Sequence, residues 1–191
     1  MLGTAEIYLI IINTIGFIFN SLNIFLNKRQ SYKINILLSV LSLLGATLGI
    51  IISILLFDKK STKDNMMFRV FATCLFIIQI TIFIMLNYND KSITLPFNIK
   101  NNILLYYLLI INILTFIIFG LDKRNACKSR RRYKIVTLLG LCFIGGSLGG
   151  LLAMHIFHHK TTINYFTWGI PMIILMHIVV MFFLVNIVAI L

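Results

Sequence analysis

Any chemistry in this chain has to be argued around Asp122. Acids are scarce, 5 Asp+Glu against 17 Lys+Arg, and Asp122 is the single acid after Asp90. It follows an apolar run and opens a loop that carries Lys123 and ends Arg130-Arg131-Arg132. An acid so outnumbered is expected to pair with a neighbouring Lys or Arg, and the loop reads as a basic collar for headgroups. His155 and His159 are four apart, a spacing that sets two imidazoles on one helix face for a metal. No Asp, Glu or Cys lies near them in sequence, and a position at the end of an apolar run accounts for them as interfacial side chains. No metal and no cofactor is therefore assigned. His177 falls inside the last apolar run, where an ionisable group is costly and functional by default. A neutral histidine bonded to a neighbouring helix is the favoured reading. No nucleophile–base pair emerges, because Asp122 is the only acid that could orient a histidine.

Glycines form the next pattern. Gly45/Gly49, Gly145/Gly149 and Gly146/Gly150 are small-xxx-small pairs, which let helices approach closely in lipid. A phosphate-cradling loop would need a preceding strand and a following Lys-Ser/Thr, and neither is present. The three cysteines, Cys74, Cys127 and Cys142, contain no CxxC pair.

The elements that must hold these residues are membrane helices. The chain has 191 residues, 60% hydrophobic and 12% charged, with a mean hydropathy of +1.00. Soluble domains carry about 25% charged residues, so this much apolar surface belongs in lipid. Six uncharged stretches approach the roughly 20 residues a span needs: 7–25, 34–57, 70–86, 103–121, 135–157 and 166–191. Isolated strands would leave backbone groups unpaired in lipid, so each is read as a helix. The expected partners of the net charge of +12 are anionic headgroups; nucleic acid is not expected, and a homo-oligomer is possible.

The two halves repeat. Residues 8–13, Tyr-Leu-Ile-Ile-Ile-Asn, read like Tyr-Leu-Leu-Ile-Ile-Asn at 107–112. Likewise Leu-Leu-Gly-Ala-Thr-Leu-Gly at 43–49 reads like Phe-Ile-Gly-Gly-Ser-Leu-Gly at 143–149. Each is followed by Phe57 or Phe157, then by Lys60-Ser61-Thr62 or Lys160-Thr161-Thr162. The expected architecture is all-α, a polytopic membrane protein of about six transmembrane helices in two inverted three-helix repeats. The first repeat covers 1–89, a linker loop 90–102 and the second repeat 103–191. Inversion follows from three crossings per half, as in many transporters.

With six crossings, eleven basic residues share a side with both termini and six lie opposite. That count predicts a multi-pass protein of the cell membrane with both termini cytoplasmic. A straight helix over 135–157 is expected, with its glycines serving packing. It separates two polar clusters onto opposite faces: Asp122, Lys123 and Arg132 on one, His158, His159, Lys160 and Thr161 on the other. Asn13, Asn112 and Ser147 are the polar residues available to a midplane path.

The second half also resembles a known family. Phe119-Gly-Leu-Asp-Lys-Arg-Asn-Ala126, Arg132, Gly145-Gly-Ser-Leu-Gly149 and Phe157-His-His-Lys-Thr161 match in order and spacing the bacterial membrane family called domain of unknown function 1294. Lys134 and Ile135 stand where that family tends to have Pro-Glu, and His158 where it tends to have Arg. The resemblance implies a small multi-pass bacterial membrane protein and no particular activity. Three functions are open: a structural or headgroup-interacting protein, a small transporter or channel, and a membrane enzyme acting on a lipid or phosphate-bearing substrate.

Overall fold

The computed structural model describes residues 4–26, 32–58, 63–87 and 102–188. Every regular element among them is helical: α1 (Thr4–Leu26), α2 (Tyr32–Leu41), α3 (Thr47–Phe57), α4 (Lys63–Asn87), α5 (Asn102–Cys127), α6 (Ile135–Leu141), α7 (Ser147–Ile156), α8 (Asn164–Thr167) and α9 (Gly169–Val188). Short wide-turn segments, Ser42–Ala46 and Cys142–Gly146, join α2 to α3 and α6 to α7. Six helical stretches are long and apolar enough to cross a membrane. Large apolar side chains stand exposed along them, among them Ile110, Ile113, Ile144, Leu148 and Leu175. In water that surface would be untenable; in lipid it is the ordinary outer face of a helix. The chain is therefore an all-α, multi-pass membrane protein. It divides into two compact units, Met1–Phe83 and Ile84–Leu191.

The straight helix expected over 135–157 is not what forms. At Gly145 the backbone turns to φ 126°, a left-handed conformation that costs glycine little and other residues much. The chain then reverses. Tyr133, before α6, and His159, after α7, both bond to the carboxylate of Asp122. A straight helix of 22 residues would set its ends about 33 Å apart. At the far end, the Tyr107 hydroxyl donates to the Ile144 carbonyl at 2.7 Å. Tyr107 precedes Asp122 by fifteen residues on α5, so the hairpin reaches about 22 Å along that helix before returning. Its arms touch: a Cβ on Gly150 would lie 2.8 Å from the Cys142 thiol sulfur.

The first unit contains the same device. Gly45 has φ 109°, and α2 and α3 fold back beside α1. The Tyr8 hydroxyl donates to the Leu44 carbonyl at 2.8 Å, and Phe57 at the end of α3 packs on Phe17 and Phe25. In the second unit the corresponding ring pair is Phe116 with Phe157, 5.1 Å between centroids.

Side chains from the flanking helices cap both hairpin tips. Asn112 accepts the Gly149 N–H at 2.7 Å and donates to the Gly145 carbonyl at 3.0 Å. Asn13 accepts the Gly49 N–H at 2.9 Å. These bonds satisfy backbone groups freed by the break, an obligation that lipid makes strict. They also bring α7 against α5 so closely that a Cβ on Gly149 would overlap the Asn112 carbonyl oxygen, and one on Gly49 that of Asn13. Gly146 packs equally tightly on Thr115.

Two sequence expectations change as a result. Gly45 and Gly145 turn the chain, while Gly49, Gly146, Gly149 and Gly150 do the close packing. A segment that returns to the face it left contributes no crossing, so three crossings per half no longer hold. With them goes the odd number of crossings from which inverted repeats were expected.

Candidate functional site

The hairpin of the second unit brings the two expected clusters together at its open end. Asp122 lies in the last turns of α5 and is fully buried. Its Oδ1 accepts the backbone N–H of Tyr133 at 3.0 Å. Its Oδ2 is 3.0 Å from His159 Nε2 and 2.7 Å from Lys160 Nζ. One carboxylate thus ties the chain entering the hairpin to the chain leaving it. The picture of two clusters on opposite membrane faces fails for that reason.

Two consecutive side chains rarely reach one atom from regular backbone. Here His158 and Lys160 have φ of 44° and 63°, left-handed values on either side of His159. Such conformations cost about 1–3 kcal/mol each and persist only where surrounding contacts impose them. The imposed result is a turn that directs His159 and Lys160 to the same oxygen. The Lys160 ammonium also stands 4.7 Å over the Phe166 ring, a cation–π contact that helps to offset its burial. Phe166 is itself held edge-on by Phe119 of α5, with 5.8 Å between centroids. Burial pushes the Lys160 ammonium below its usual range, against the pull of Asp122. The charge of Arg132 adds to the depression.

Of the residues singled out from sequence, Asp122, His159 and Lys160 form this contact and Arg132 acts on it electrostatically. Lys123 is half-buried on α5, and His158 and Thr161 are exposed. The Thr161 carbonyl accepts the Thr167 hydroxyl, which closes the turn leading into α8. His155 and His159 do not form a metal pair. The helix ends at Ile156, and His155 bonds the Leu151 carbonyl while His159 bonds Asp122. Among the described residues no group of three His, Cys, Asp or Glu could hold a metal ion.

His177 bonds at the hairpin tip. Its Nε2 lies 3.0 Å from the Phe143 carbonyl and its Nδ1 3.2 Å from the Ser147 hydroxyl. A carbonyl only accepts, so Nε2 donates to Phe143, while Nδ1 and the Ser147 hydroxyl share the second bond. In the first unit Gln79 does the same work, accepting from Thr47 at 2.6 Å and donating to the Ser42 carbonyl at 2.8 Å.

Beside the Asp122 junction lies an open cleft of about 470 Å³, lined by Asn125, Arg131, Arg132, Tyr133, Lys134 and Thr137. Sequence reading did not place Asn125, Tyr133 or Thr137 in a site. The Tyr133 role is carried by its backbone, which no residue pattern reveals. In the first unit the hairpin base is tied differently. Asp58, just after α3, pairs with Arg69 of α4 at 3.1 Å and accepts from Asn65 at 2.6 Å. Asn23 is buried near the end of α1. Lys59 and Lys60 lie outside the described residues.

Comparison with known proteins locates this site within the region of similarity. The chain is similar to the "Uncharacterized protein YsdA" of Bacillus subtilis (strain 168), with 35% identity over 68 residues that cover 36% of this chain and 76% of that protein. No solved structure matches it. The matched family segment, residues 112–166, begins at the asparagine that caps the hairpin tip and ends at the phenylalanine under Lys160. The chain belongs to the family described as Protein of unknown function (DUF1294).

Proposed function

We propose that this membrane protein binds anionic lipid headgroups at the cytoplasmic face, in the basic cleft beside Asp122. One observation carries the reading. Arg131, Arg132 and Lys134 line the cleft, and the single nearby acid is buried and engaged by Lys160 and His159. Among the described residues of the second unit Asp122 is the single acid, which supports a counter-charge from outside that unit. Lipid phosphates supply it at an interface.

Hairpins that return to their starting face also redistribute the basic loops. In the second unit, Lys123, Arg124, Lys128, Arg130, Arg131, Arg132, Lys134 and Lys160 belong to the face where its hairpin opens. In the first, Lys33 at the start of α2 and Lys63 and Arg69 on α4 belong to the face where its own hairpin opens. Each unit by itself therefore favours a hairpin opening toward the cytoplasm. On this reading the start of α1 and the end of α9 lie outside, the reverse of the expectation built on six crossings. The recurrence of the Tyr, Asn and Gly tip contacts in both units supports duplication of one hairpin module.

A broken re-entrant helix also favours a transport reading, because freed backbone carbonyls can bind ions. At this tip those of Phe143, Ile144 and Gly145 already accept bonds from His177, Tyr107 and Asn112, which weighs against it. The test is native mass spectrometry of the detergent-purified protein with phosphatidylglycerol and phosphatidylcholine. Preferential retention of phosphatidylglycerol, lost in the R131A/R132A/K134A variant, supports headgroup binding. Equal retention of both lipids refutes it.

A further inference from the structure

We infer that the two loops joined by Asp122 form a site selective for a phosphomonoester, with Arg132 and Lys160 as its discriminating cations. The inference rests on the headgroup reading and narrows its ligand from any anion to one chemical class.

Asp122 Oδ1 holds the backbone of Tyr133, next to Arg132, and Oδ2 holds Lys160. The loop that carries the arginines and the turn that carries the lysine are therefore fixed to the two oxygens of one buried group. Arg132 and Lys160 thus bring two positive charges to loops that meet on a single carboxylate, and the Arg132 charge in turn weighs on the Lys160 ammonium. Counting Arg131, Arg132, Lys134 and Lys160 against Asp122 leaves a local charge of +3 without any contribution from His159. A phosphodiester brings one negative charge to that surplus. A phosphomonoester brings up to two, because its second ionisation lies near pH 6. Neighbouring cations favour the more charged form, so the site itself promotes the dianion. An arginine fork adds paired hydrogen bonds to two phosphate oxygens, and the monoester offers three.

The left-handed backbone at Lys160 and its seat over Phe166 hold this ammonium in place before any ligand arrives. A free phosphate and a phosphatidic acid headgroup share the required chemistry. Tyr133 and Trp168, 38% and 65% exposed, flank this end of the unit as aromatic side chains do at a membrane interface. That arrangement favours the lipid.

The experiment titrates the full-length protein in detergent with phosphatidic acid, phosphatidylglycerol or phosphatidylcholine at pH 7.5, read by native mass spectrometry. Phosphatidic acid is expected to be retained about 5-fold more than phosphatidylglycerol, the effect of one additional charge at a basic surface. R132Q, an exposed position, should bring the two anionic lipids to parity while both remain above phosphatidylcholine, since Arg131 and Lys134 persist. Lowering the pH to 5 should narrow the preference in the wild type, as the monoester loses part of its second charge. Parity at pH 7.5 with both above phosphatidylcholine overturns the monoester site and leaves headgroup binding standing. Equal retention of all three lipids overturns both. An unchanged preference in R132Q also overturns the assignment. Displacement of phosphatidic acid by millimolar inorganic phosphate identifies free phosphate as the ligand source, and resistance to it identifies the lipid.

Discussion

Asp122→Asn removes the charge on which the hairpin base is assembled, and its cost can be worked from the contacts. The amide oxygen can still accept the Tyr133 N–H that Oδ1 accepts at 3.0 Å. The amide nitrogen then occupies the place of Oδ2, a donor facing the Lys160 ammonium and the His159 imidazole. Two bonds involving charged groups are lost, each worth about 1.5–3 kcal/mol. Solvent can recover little, because the Asp122 and Lys160 side chains are 0% and 12% exposed. Breaking one partner of a buried pair costs about 3–5 kcal/mol by independent measure, so the two figures agree. For a chain of this length the lower figure lowers Tm by roughly 6–12 °C. Heating in detergent followed by size-exclusion chromatography reads that shift as loss of the monodisperse peak. Adding Lys160→Met should recover more than half of the loss, since removing both partners of a buried pair is close to neutral. A Tm shift of less than about 2 °C for Asp122→Asn, or a double variant worse than the single, would refute the reasoning.

Three further outcomes follow from the hairpin. Gly149→Ala drives a methyl into the Asn112 carbonyl and should cost about 1–3 kcal/mol or more, whereas Gly140→Ala, with open space around it, should be neutral or stabilising by about 0.5–1 kcal/mol; thermal melts of the two variants in one detergent compare them. His177→Gln should keep the wild-type Tm because Gln79 makes the same pair of bonds in the first unit, while His177→Leu leaves the Ser147 hydroxyl and Phe143 carbonyl unmatched at about 1–3 kcal/mol each. A Tm for His177→Gln as low as that of His177→Leu would contradict the bonding role of this side chain at the hairpin tip. On the orientation proposed above, an alkaline phosphatase fusion after Leu191 should be active; an inactive fusion with an active cytoplasmic reporter at the same place reverses the orientation.

Hydropathy made the helical, membrane-spanning class legible, and the spacing of Tyr8, Asn13 and Gly49 is like that of Tyr107, Asn112 and Gly149, which make the corresponding tip contacts. What it hid was direction. Residues 135–156 are as apolar as a span, and glycine in a transmembrane helix ordinarily signals packing, so nothing local distinguishes Gly145 as a turn from Gly149 as a contact. The distinction lies in partners far along the chain: Tyr107 and Asn112 offer hydrogen bonds that an unbroken helix would not need. Asp122 was recognisable as a solitary acid, and Lys160 and His159 as polar residues beyond an apolar run. Their contact depends on the reversal, so missing the reversal put them on opposite faces. The Tyr133 contribution is a backbone N–H and leaves no trace in residue type.

The central claim is that the segment from Ile135 to Ile156 returns to the face it left, and thiol labelling from one side of the membrane tests it directly. Cys74 and Cys142 are buried, so replacing the exposed Cys127 with serine gives a quiet background. Single cysteines at Arg130 and Thr162, both exposed, then flank the hairpin. With an impermeant maleimide both should react in inside-out vesicles and both should be protected in intact cells. Labelling of one from outside and the other from inside would mean a straight crossing, and the Asp122 site would not exist.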